Sequence, residues 1–194
     1  EILIGLVGSE MCIRDRPPGR HPVKTYAIGS QMLQRVFRFM GREMEAGHQV
    51  YVVCPLVEKS EKQDLASAVS VYEELRDRIF PMFPVGLVHG RMKNSEKEAV
   101  MQAFHRGEKK LLVATSVIEV GVNVPNATIM FVYGADRFGL SQLHQLRGRV
   151  GRGEAQAYCI LYSDNQNEIT QLRMKLMCCL LYTSDAADDL IGVD

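Results

Sequence analysis

Long apolar runs are missing from this 194-residue chain. No stretch of about 18 apolar residues occurs, which excludes a membrane-spanning helix. The start, Glu1 to Gly8, is apolar but too short for a secretory signal, and no basic segment precedes it. A cytoplasmic location and no membrane partner are therefore expected. Zinc-type spacing is missing too. The five cysteines are Cys12, Cys54, Cys159, Cys178 and Cys179, and none forms a Cys-x-x-Cys pair with further Cys or His partners. Cys54 and Cys159 lie inside apolar runs, where a free thiol behaves as a small hydrophobe; no metal site is expected. Two phosphate-handling devices are also lacking. There is no Gly-x-x-x-x-Gly-Lys-Ser/Thr loop, and no Asp-Glu pair closes a buried strand to hold magnesium. A nucleophile–base set and a dinucleotide glycine fingerprint are absent as well, which argues against a small-molecule α/β enzyme.

What is present divides into a body and two flanks. Residues 1–16 and 178–194 resemble translated sequencing adapters of the transposase-fragmentation type, nearly residue for residue. They are expected to be non-native and are set aside before any fold is argued. The whole chain balances 23 basic against 23 acidic residues. The flanks hold two of the basic and seven of the acidic ones. The body keeps 21 and 16, a net charge of +5, which suits a nucleic-acid partner without proving one.

Along the body, Pro17 to Pro22 reads as a linker between domains. Val23–Ile28 is expected as a short strand. Ser30–Ala46 follows as a helix, with Leu33, Val36, Phe37, Met40 and Met44 at helical spacing and Gly47 as its stop. Gln49–Leu56 is a continuous apolar run, the mark of a strand buried on both faces. Asp64–Ile79 reads as a helix with Leu65, Val69, Tyr72 and Leu75 on its stripe, and Pro81 and Pro84 break the chain. Val85–Val88 is a strand. Ser95 with Glu98 looks like a capping box opening the helix that ends at Gly107. Leu111–Ala114, Thr128–Tyr133 and Ala157–Tyr162 are further strands. A helix from about Ser141 lies between the last two, and Asn167–Met177 reads as a final helix. Alternating strands and helices define an α/β fold, a parallel sheet with helices on both faces. Ligand sites in such sheets lie beyond the carboxyl ends of the strands, here marked by His89, Thr115 and Gly134.

The strongest chemical signal is the run Gln145 to Arg152. Placed on a helix, Gln145, Arg149 and Arg152 fall at i, i+4 and i+7, on one face. Gly148 and Gly151 each weaken a helix by about 1 kcal/mol relative to Ala. Such a sacrifice is made where a backbone or ligand must come close. Two guanidiniums with small residues between them suit a polyphosphate, because the planar fork binds phosphate oxygens in pairs. A solvated basic helix end accounts for the spacing equally well. Leu112 to Pro125 is a second segment. Its strand delivers Thr115 and Ser116 to the sheet edge, where a hydroxyl and exposed amides could hold a phosphate, or could simply cap a helix. Val88 to Met92 is a third. His89, Gly90 and Arg91 stand where a nucleic-acid backbone could run, or are ordinary polar residues at a strand end. The chain thus has arginines suited to a nucleotide and no cradle for it, which suggests half of a two-domain site.

From His89 through Arg152 the chain resembles the second RecA-like domain of superfamily 2 helicases, with Thr115–Pro125 as motif V and Gln145–Arg152 as motif VI. Within that superfamily, Pro17 to Arg20, Cys54 to Leu56, His89 to Met92, Glu119 to Asn126 and Phe138 to Arg152 resemble the RecG family. The likeness covers essentially all of residues 17–177. The last block is also similar in the transcription–repair coupling factor family, and Cys54 to Asp64 favours the RecG family. The resemblance implies a RecA-like parallel sheet over residues 23–177, truncated, after a linker at 17–22. It implies ATP with Mg2+, held mainly by a first RecA-like domain. Arg149, Arg152 and Gln145 would be catalytic, with Arg152 as the arginine finger and Gln145 sensing the γ-phosphate. Gly121 and Asn123 would join the arginines at the nucleotide. His89, Gly90, Arg91, Thr115 and Ser116 would hold the DNA backbone. The implied partners are branched double-stranded DNA and, in cis, the first motor domain and a wedge domain, in a monomer that is inactive without them. A coupling-factor-like translocase domain and a non-catalytic nucleic-acid-binding domain are the alternatives. Asn123 departs from the usual Asp, and Tyr133-Gly134 from the usual Glu-Asn.

Overall fold

The structure is a computed structural model that describes residues 22–55, 61–115, 124–165 and 167–179. Six strands form one sheet in the order β1-β6-β5-β2-β4-β3, and all pairs are parallel. The strands are β1 (Lys24–Ile28), β2 (Gln49–Cys54), β3 (Val85–Val88), β4 (Leu111–Thr115), β5 (Ala127–Val132) and β6 (Tyr158–Tyr162). Every residue of β2, β4 and β5 is buried. This is the burial that an all-parallel sheet with helices on both faces demands, and it explains the unbroken apolar runs. Each fully buried Val of β2 contributes roughly 1.5–3 kcal/mol over an exposed one.

The two faces carry separate cores. On one face lie α1 (Leu33–Glu45) and α2 (Glu61–Glu74), the latter continued by a π turn over Leu75–Ile79. On the other lie α3 (Asn94–His105), α4 (Leu140–Arg147) and α5 (Glu168–Cys179). Helix α1 buries Val36, Phe37, Met40 and Met44 as its spacing requires, and Gly47 stops it at φ +99°. Along α2 and its π turn the buried positions among the described side chains are Ala68, Val71 and Leu75, while Val69 and Tyr72 are only half-buried and Leu65 falls outside the side chains described. That stripe is rotated by about one residue from the expected one, because a small Ala packs where a larger side chain was sought.

Helix α3 starts earlier than its sequence suggests. Lys93 is its N-cap, and the Glu96 carboxylate accepts the Lys93 backbone N–H at 3.1 Å. Ser95 and Glu98 are both exposed positions within the helix. The carboxylate three residues after the cap decides the start, not the hydroxyl. At the amino end of β2, the buried Gln49 donates its side-chain N–H to the carbonyls of Phe104 and, at 2.9 Å, Lys109. It thereby ties the end of α3 and the approach to β4 into the sheet.

Candidate functional site

Chemistry-bearing residues lie at both rims of the sheet. At the carboxyl rim, β3 and β4 run side by side with Val88 beside Ala114. His89 and Thr115 therefore leave adjacent strands together. Thr115 is buried. The His89 carbonyl accepts the Met92 N–H at 3.2 Å in a tight turn, and Lys97 donates to the Gly90 carbonyl at 3.0 Å. Arg91 is exposed on this turn. Burial holds the His89 imidazole below the usual histidine range, the charges of Lys97 and Arg91 push the same way, and Glu96 opposes them. The uncharged imidazole is thereby favoured. Its Nδ1 is buried and has no hydrogen-bond partner among the described residues. A buried polar atom left open at a strand end fits a place that a ligand completes. Ser116, Gly121 and Asn123 fall outside the described residues.

The arginine segment sits elsewhere. Helix α4 ends at Arg147 with Gly148 as its C-cap, so Arg149 and Arg152 are not on the helix that carries Gln145. The chain tightens beyond Gly148: the Arg149 N–H donates to Leu146 at 3.0 Å and the Val150 N–H to Arg147 at 3.4 Å. Gly151 then takes φ +75°, a left-handed conformation that glycine adopts without strain. A side chain at Gly151 would meet Val23 at 2.8 Å and Ala157 at 3.3 Å, and one at Gly153 would meet the Pro125 carbonyl oxygen at 2.5 Å. Val23, Pro125 and Ala157 all precede the first residues of strands. The turn therefore lies at the amino rim, opposite to the expected one. The reason is topological. Helix α4 follows β5 and must run back antiparallel to the strands before β6 can begin, so its last residues land where strands start.

Arg149 and Arg152 are half-buried, and Gln145 is exposed one turn before the helix ends. Arg152 Nε donates to the Gly148 carbonyl at 3.4 Å. Both guanidiniums lie close enough to act on the phenol of Tyr51, which is 4% exposed on β2 with its ring 4.8 Å from that of Phe104. Burial pushes the Tyr51 hydroxyl up to about 12, against the pull of the two arginines. The phenol stays protonated at physiological pH and does not neutralise either guanidinium.

Arg147, in the same run, has a different place. It donates to Thr25 Oγ1 at 3.1 Å and to the Val23 carbonyl at 3.3 Å, fastening α4 to the entry of β1. Arg147→Ala should destabilise the chain by about 1–3 kcal/mol, since a buried hydroxyl and a carbonyl lose their donor. An unchanged urea midpoint would show that these bonds contribute nothing. At the carboxyl rim, Gly134 has φ 60° and ψ 46°. Glycine and asparagine share that left-handed conformation, so Gly in place of the usual Asn leaves the backbone unstrained.

Sequence reasoning missed Tyr51, Arg147 and the seat of Gly153 on Pro125. Only the seat had a signal, a third glycine directly after Arg152.

Six parallel strands with helices on both faces, an arginine turn at one rim and a polar strand-end cluster at the other make an α/β domain of the RecA-like class. The chain belongs to the helicase conserved C-terminal domain family, whose family model matches residues 30–154. It is 50% identical over 165 residues to the ATP-dependent DNA helicase RecG of Bacillus subtilis (strain 168), covering 85% of this chain and 24% of that protein. The corresponding protein of Synechocystis sp. is 47% identical over 165 residues, with 20% of its length covered. Among solved structures, RecG bound to a three-way DNA junction superposes with a TM-score of 0.71 at 36% identity, covering 93% of this chain and 25% of that one. Saccharomyces cerevisiae Dbp5, bound to RNA and ADP BeF3, shares the fold at 14% identity, with a TM-score of 0.60 over 87% of this chain and 43% of that one. The chain spans about a quarter of the length of the curated relatives it matches. No described helix is long and apolar enough to cross a membrane.

Proposed function

We propose that this chain is the second motor domain of a RecG-type, ATP-dependent DNA helicase acting on branched DNA such as forks and junctions. The observation that carries the proposal is the arginine turn. Two half-buried guanidiniums lie on one turn, within electrostatic reach of a phenol that cannot cancel their charge, on a backbone held at Gly151 and Gly153 by packing against three strand entries. Such a pair fits a polyphosphate. It would complete a site whose phosphate loop and Mg2+ ligands lie in a first RecA-like domain.

Arg152 is the proposed finger, offsetting charge that develops on the transferring phosphoryl group, with Arg149 beside it. Gln145, at the exposed end of α4, is assigned to sensing the γ-phosphate. Gly121 and Asn123 are assigned to the nucleotide side on the family pattern. Thr115, His89, Gly90 and Arg91 at the carboxyl rim, and Ser116 on the family pattern, are assigned to the DNA backbone. The open Nδ1 of His89 supports that assignment. The catalytic assembly is then a monomer that needs both motor domains and a wedge domain in cis.

By itself the chain should release no phosphate from ATP above background, with or without branched DNA. A malachite-green phosphate assay on the purified chain checks this. DNA-stimulated turnover by the chain alone would overturn the two-domain site.

A further inference from the structure

The face of the sheet opposite the arginine turn carries a second feature, unrelated to the motor site. Helix α1 turns Val36, Phe37, Met40 and Met44 inward and leaves Arg38 and Arg42, four residues apart, exposed on its outer side. Gly41 lies between them. The edge of the Phe80 ring lies 3.7 Å from where a Gly41 Cβ would sit, an ordinary van der Waals approach. That approach brings the segment Phe80–Phe83 alongside α1 and makes a groove with two walls, to which the π turn adds Arg78. Arg38, Arg42 and Arg78 make no ion pair or side-chain hydrogen bond with any described residue. Gln34, Arg35 and Glu45 also line the groove, and most of the rest is apolar: Phe39 and Phe83 are half-buried, and Met82 is 87% exposed at the mouth. The cavity measures 1310 Å³, above the roughly 300–1,000 Å³ of a small-molecule pocket.

We propose that this groove binds a short acidic peptide segment that also carries apolar side chains. Three guanidiniums answer carboxylates in the forked geometry that arginine favours. The apolar floor, with a large thioether left in water, answers Leu- or Phe-type side chains. Nucleic acid fits less well. A phosphate backbone brings charge but nothing to cover Met82 and Phe83.

The test is fluorescence anisotropy of the full 194-residue chain with a labelled synthetic peptide alternating Asp with Leu and Phe. Saturable binding is expected, about tenfold weaker in the Arg38→Glu/Arg42→Glu double variant and about threefold weaker in Met82→Ser. All three positions are exposed, so unchanged melting temperatures confirm that the fold is intact. Three results each overturn the proposal: no saturable binding, affinity indifferent to the charge reversal, or an oligothymidylate that displaces the peptide and is itself lost in the double variant. The last would mark the groove as a nucleic-acid surface instead.

Discussion

Arg152→Ala, made in the complete enzyme, is expected to lower DNA-stimulated ATP turnover by about 10³–10⁵ while leaving the domain folded. The two halves of that expectation come from different features. The loss of rate follows from removing a fixed positive charge at the turn, where a half-buried guanidinium acts in a medium of lower dielectric than water. The intact fold follows from how little else Arg152 does. Its bond to the Gly148 carbonyl is long, at 3.4 Å, and contributes at most about 0.5–1.5 kcal/mol. Steady-state kinetics with a thermal melt of the same variant checks both halves. Near-normal turnover removes Arg152 from the finger role. A collapsed melt would mean that it is structural after all. Arg147→Ala supplies the contrast, since that side chain binds Thr25 and Val23 and its loss should register first in the melt.

The other large effect concerns a residue with no side chain. At Gly153 a Cβ would stand 2.5 Å from the Pro125 carbonyl oxygen, which belongs to backbone and cannot rotate away. Gly153→Ala must therefore lift the turn off the entry to β5. Overpacking of this kind costs about 1–3 kcal/mol, or roughly 3–10 °C in melting temperature for a domain of this size. The turn that moves is the one bearing both arginines, so turnover in the complete enzyme should fall with it. Gly29→Ala is the control, because a Cβ there meets nothing within 4 Å. Equal melting temperatures for the two variants would show that the seat on Pro125 is loose.

Much of this architecture is legible in the residues. Unbroken apolar runs gave β2, β4 and β5 because strands buried on both faces need no alternation, and the spacing of Val36, Phe37, Met40 and Met44 gave α1. Three misses have physical causes. The cap of α3 was sought at Ser95, yet the Glu96 carboxylate on the Lys93 N–H sets the start two residues earlier. Gln145, Arg149 and Arg152 were laid on one helix by periodicity. Gly148 and Gly151, noted only as weakening it, in fact end the helix and turn the chain. The carboxyl-rim rule was applied to every functional residue, although a segment between a helix and the next strand has to lie at the other rim. The order of elements alone was enough to place the arginines there. Tyr51 could not be found this way. An isolated aromatic in a buried strand looks like any core residue until the fold brings two cations to its hydroxyl.

The polar cluster of β3 and β4 and the arginine turn stand at opposite ends of strands four to six residues long, about 13–20 Å apart. Every residue of the three central strands between them is buried, and close-packed interiors are nearly incompressible. Such a slab has no internal give with which to soak up a push. Displacement imposed at the arginines emerges at His89 and Thr115 undiminished, as a swing of the whole block. On the proposed two-domain reading, the length of each stride is set by a hinge between the domains and not by any bending within this one.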